Sequence, residues 1–188
     1  MDITQQEAQS SLETIEAIQR QTRRALAHGG GPFFMIIWGA VWLVGYLASY
    51  FLNDRAAGTV WMVADAAGIA ASFLTGWWMS RQVRMPGHDA RIAIFWLLWL
   101  VYAALIVWLT ESYANPDLTG VLIAVFAMFG YVVMGLWLWR PLIWVGIGVT
   151  ILALAIYLLI PDYADLAMAI LGGGALIGSG VYIYRNWR

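Results

Sequence analysis

The chain's 188 residues are 62% hydrophobic and 11% charged, against roughly 45–50% apolar and 25% charged in an average soluble domain. A mean hydropathy of +0.73 and long charge-free runs exclude a soluble enzyme. The net charge is −1, Lys is absent and all ten cations are Arg, so no basic stripe is left for a nucleic acid partner. With no Cys, disulfides, thiolate catalysis and Cys-bound metals are excluded too. His28 and His88 both lie outside the apolar segments, and no cofactor or metal is implied.

In chain order, residues 1–31 differ in kind from the rest. They are Gln- and Glu-rich, with Thr4/Glu7 and Ser10/Glu13 each spaced as a capping box, and they end in Gly29-Gly30-Gly31-Pro32, a helix stop. This pattern predicts one cytoplasmic amphipathic helix and a Gly-rich hinge. Its narrow apolar stripe (Ala8, Leu12, Ile15, Leu26) is too short for an independent coiled coil. Arg20, Arg23 and Arg24 follow the acids, which places the basic half against an anionic leaflet. The membrane surface, the underside of its own bundle, a second copy and a partner protein all remain open as its contact. The segment is too polar for a secretory signal peptide.

Residues 32–188 then read as a transmembrane domain of six spans, about 33–52, 59–80, 91–110, 118–139, 142–160 and 163–184, each near the ~20 residues that cross ~30 Å of hydrocarbon. Pro32, Pro86, Pro116, Pro141 and Pro161 all fall between spans or at their starts, where the missing N–H costs nothing. Every Arg but Arg55 lies in the N-terminal segment, the second and fourth connections or the C-terminus. The positive-inside rule therefore puts both termini in the cytoplasm, and a Trp-rich chain without Lys reads as a bacterial inner-membrane protein.

The even-numbered spans end alike, in Gly76-Trp77-Trp78-Met79-Ser80-Arg81, Gly135-Leu136-Trp137-Leu138-Trp139-Arg140 and Gly180-Val181-Tyr182-Ile183-Tyr184-Arg185. The odd spans carry Trp38, Trp96 and Trp144 near their cytoplasmic ends. Three tandem hairpins follow as the expected architecture. The aromatic residues and Arg81, Arg140 and Arg185 read as interface anchors, and the small residues as helix-packing positions. Over Trp144–Arg185 the Gly-rich hairpin pattern resembles the small bacterial membrane proteins related to the acid-resistance protein HdeD; the likeness is one of pattern and transfers no function.

Asp65 is the conspicuous polar residue. Eleven residues before each repeat Gly the hairpins offer Asp65, Ala124 and Ala169, and an acid within a span marks a functional position by default. Ala64, Gly68, Ser72 and Gly76 form a small-residue ladder beside it, and Trp61, Asp65 and Ser72 recur at helical spacing, which predicts a polar site facing the bundle interior. Three readings stay open: a hydrogen-bonded tie between helices, a cation or proton site, and an acid that snorkels. Elsewhere, Gly174 and Gly178 form a second small pair expected to pack. Asn115-Pro116-Asp117 and Pro161-Asp162-Tyr163-Ala164-Asp165 read as capped helix starts. No catalytic constellation is visible. The expectation is a non-enzymatic accessory, sensory or scaffold subunit that associates with itself or another membrane protein, with a small transporter or channel using Asp65 as the alternative.

Overall fold

The computed structural model describes residues 31–82, 90–137 and 140–186; the N-terminal helix expected over residues 4–27 lies outside them. Every element within the described residues is helical. In chain order these are α1 (Gly31–Phe51), α2 (Asp54–Gln82), α3 (Ala90–Leu109), α4 (Pro116–Trp137), α5 (Pro141–Leu159) and the composite α6 (Pro161–Asn186). Five are long and apolar enough to cross a membrane, and α3 adds the shorter apolar stretch Ile94–Leu109.

The helix starts follow from local chemistry. Asn115 Oδ1 accepts from Leu118 N at 3.1 Å, so the Asn-Pro start of α4 is capped as its sequence predicts. The same device begins α2 five residues before the apolar run at Thr59, because Asn53 Oδ1 accepts from Ala56 N at 3.0 Å and Asp54 sits in the first turn. At the start of α6, Pro161 and the acids Asp162 and Asp165 stand in first turns as the sequence predicts. Pro161–Tyr163, however, forms a 3₁₀ turn before the α-helical Ala164–Ala167, and the N-cap residues Ile160 and Tyr163 supply no side-chain cap. A π-helical segment follows at Met168–Gly173, and the helix regains α geometry over Gly174–Asn186.

Extended contacts join α1 to α2 and to α6, α4 to α5, α5 to α6 and, more sparsely, α3 to α4. Among the described residues the extended contacts therefore run α3, α4, α5, α6, α1, α2, an open arc whose two ends are consecutive in sequence and within which α1 and α4 also touch across the core. Its core is formed by Trp42 and Tyr46 of α1, Ala124 and Met128 of α4, Val149, Ala153 and Ile156 of α5, and Met168, Ala169 and Leu176 of α6. No large aliphatic side chain separates the closest pairs, because glycines let backbone meet backbone. A Cβ on Gly173 of α6 would lie 2.9 Å from the Gly39 carbonyl oxygen of α1, and one on Gly180 would lie 2.7 Å from that of Pro32. Between α4 and α5 the same role falls to Gly135, 2.7 Å from Ile143 N, and Gly146, 2.8 Å from the Met128 carbonyl oxygen.

The small pair expected to pack in α6 is corrected here. Gly174 and Gly178 are exposed, with open space where a Cβ would go. The buried stripe runs Ala169, Gly172, Gly173, Leu176, Gly180, Ile183, and at about 100° per residue Gly174 and Gly178 stand well to one side of it. Spacing alone identified a small pair; the large residues Leu176 and Ile183 decide which pair faces inward.

Candidate functional site

The region around Asp65 is built on the α1–α2 seam. Gly68 of α2 lies against α1, where a Cβ would come within 2.8 Å of Val41 Cγ2. About two turns away, Trp61 lies over Gly45 so closely that a Cβ there would sit 2.6 Å from the indole. The indole donates from Nε1 to Ser49 Oγ at 3.0 Å and meets the Tyr46 ring edge-on, centroids 5.1 Å apart. Tyr46 in turn stacks edge-to-face with Trp42 and donates its hydroxyl to the Gly120 carbonyl oxygen of α4 at 3.2 Å. A polar and aromatic relay therefore ties α2 to α1 and α1 to α4.

Asp65 stands one turn beyond Trp61 but outside that relay. It is half-buried, and among the described residues no hydrogen bond or ion pair reaches it. The Tyr hydroxyl nearest in the relay is committed to Gly120. Ala124 and Ala169, its counterparts in the repeat expected from the sequence, are fully buried in the core at 0% exposure. The ladder expected beside Asp65 divides. Gly68 is buried in the α1 contact, Ala64 is half-buried, and Ser72 has a buried hydroxyl with no partner. Gly76, by contrast, has open space where a Cβ would go, so it does not take part in the packing expected of it. The physical reason is its angle: Gly76 lies about 80° round α2 from Gly68, on the flank that carries Asp65.

The anchors fall as follows. Trp38 is half-buried, with its ring edge near Gly68. Trp96 packs on Trp99 and Phe95 and lies over Gly130 of α4, while Trp144 is 74% exposed and points away from the protein. The Arg81 guanidinium lies 3.7 Å from the centroid of the Trp77 ring, a cation–π contact at the end of α2. Arg140 and Arg185 are exposed at helix ends. Among the described residues no group of three His, Asp or Glu side chains is placed to hold a metal.

The sequence reading missed Tyr46, Ser49 and Gly45, which hold Trp61. The signal was present in the i, i+3, i+4 spacing of Trp42, Gly45, Tyr46 and Ser49 along α1, but each residue alone reads as ordinary span composition. Comparison of the chain with protein-family models, curated proteins and solved structures finds no match.

Proposed function

We propose that this protein is a non-enzymatic accessory, sensory or scaffold subunit of the bacterial inner membrane, with six spans in three tandem hairpins and both termini cytoplasmic. The observation that carries the reading is the open arc. Four helices bury their inner faces on one another, whereas α2 and α3 stand at its ends and, among the described residues, leave a flank of α2 uncovered. A subunit that completes its own packing on a larger assembly has this form. Support for the hairpin repeat comes from Gly135 and Gly180, each of which seats the end of one hairpin on the first helix of another, α5 in one case and α1 in the other. The amphipathic helix over residues 4–27 gives the subunit a cytoplasmic contact, separable from the bundle at the Gly29–Gly31 hinge.

Gentle purification from the native host tests this. A stoichiometric larger membrane partner is expected, and deletion of residues 2–27 should change the assembly while the bundle stays folded. The second reading, a small transporter or channel, is favoured by the half-buried carboxyl of Asp65 where both repeat counterparts are fully buried. It takes first place if the protein purifies alone and proteoliposomes show saturable flux abolished by Asp65→Asn.

A further inference from the structure

The three repeat glycines do not share one environment. Gly135 and Gly180 are buried, each against the start of another hairpin's first helix. Gly76 is the third member of the set, and the first helix following it is α3. Yet α2 and α3 make no extended contact among the described residues, and Gly76 faces open space.

The reason lies one to two turns deeper in the membrane. Each closed junction has a second glycine on its first helix, Gly39 one residue after Trp38 and Gly146 two residues after Trp144, and each meets backbone of the facing helix. At the matching register α3 has Leu97 and Leu98, both more than half exposed, and α3 contains no glycine. Instead, Trp96 and Trp99 fill its contact with α4, over Gly130. Thus α3 has no surface on which α2 could seat closely, and the arc stays open at this one junction.

Asp65 and Ser72 lie on the same flank of α2 as Gly76, all within about 40° of one another around the helix and spread over about three turns. Among the described residues the flank therefore combines open space over Gly76 with the half-buried carboxyl of Asp65, which no counter-charge reaches, while the Ser72 hydroxyl beside them is buried within the chain. Lipid chains offer that carboxyl neither donor nor cation. A second copy in the same orientation offers no cation either, because its Arg residues lie at the span ends and Asp65 would meet Asp65. We propose that the open seam between α2 and α3 is the docking site for a transmembrane helix of a different protein that carries an Arg or Lys at the depth of Asp65. The proposal rests on the subunit reading above and specifies its contact: the basic group pairs with Asp65 while the backbone of the incoming helix passes over Gly76.

The probe is a synthetic Leu-rich single-span helix with one Arg at the depth of Asp65 and one Cys, compared with the same helix bearing Leu in place of Arg. Each is reconstituted in proteoliposomes with the full-length chain carrying Ile69→Cys, on the same flank of α2, and disulfide yield is read under mild oxidation. The Arg helix is expected to cross-link about tenfold better than the Leu helix, the scale of one strong interhelical polar contact in a bilayer. Asp65→Asn should reduce it to the Leu level. Gly76→Leu should reduce it as well while leaving the bundle's own Trp emission unchanged, since among the described residues nothing packs there. Equal yields for the two helices, full yield in Asp65→Asn, or Ile69→Cys protein that cross-links mainly to itself would each overturn the proposal, the last in favour of a second copy. Saturable binding of tetraphenylphosphonium without helix cross-linking would overturn it in favour of a lipophilic cation. The subunit reading fails separately, if the protein purifies from its host without a partner. A native partner retained at wild-type stoichiometry by both Asp65→Asn and Gly76→Leu would refute the seam alone.

Discussion

The backbone contact between α1 and α6 gives the most direct measure of what holds the bundle together. Gly173→Ala adds one methyl group 2.9 Å from the Gly39 carbonyl oxygen, 3.0 Å from Leu43 N and 3.2 Å from Leu43 Cα. All three are backbone atoms of α1, so no side chain can rotate aside and the helices must separate. Overpacking of this kind costs about 1–3 kcal/mol, while replacing a helical Gly by Ala returns about 1 kcal/mol of helix propensity. A net destabilisation of about 0–2 kcal/mol results. Gly174→Ala gains the same propensity with open space to receive its methyl, so it should stabilise by up to about 1 kcal/mol. The two neighbouring substitutions should therefore differ by about 1–3 kcal/mol, with the propensity contribution cancelled. Reversible unfolding of detergent-solubilised protein, followed by Trp fluorescence and circular dichroism, measures that difference. If Gly174→Ala is the more damaging of the two, the packing assigned to Gly39 and Gly173 is wrong.

Tyr46→Phe should destabilise the bundle by about 0.6–1.7 kcal/mol, the range for an interhelical hydrogen bond in a membrane, since it deletes the bond to the Gly120 carbonyl oxygen; the same unfolding assay reads it. Glu111 has a φ of 50°, a left-handed conformation that costs a side-chain-bearing residue about 1–2 kcal/mol. Glu111→Gly should therefore be neutral or stabilising, and a loss of more than about 1 kcal/mol would refute that account. For topology, Ser112 is a poor labelling site because it is 1% exposed. Cys at exposed Asp162 and at exposed Arg140 should label from outside and inside respectively, and equal reaction with an impermeant reagent on intact cells would refute the six-span orientation.

Class and outline were legible in the sequence because they depend on sums and on local chemistry. Apolar run lengths predict spans, proline positions mark their limits, and Asn115 caps α4 through its own side chain and a backbone N–H three residues away. The recurrent Gly76, Gly135 and Gly180 were also visible, as was the oddity of Asp65 where the other two segments carry Ala124 and Ala169. Which glycine packs was not legible, because a small residue is equally compatible with a helix contact and with open space. Leu176 and Ile183 turn Gly173 and Gly180 inward and leave Gly174 outside. Gly76 meets nothing among the described residues, because α3, which carries Leu97 and Leu98 where α1 and α5 carry glycines, makes no extended contact with α2. The same holds at Asp65, whose hydropathy context matches that of a buried tie between helices. Only the tertiary arrangement commits Tyr46 to Gly120 and Trp61 to Ser49, and so leaves the carboxyl half-buried at the open end of the arc.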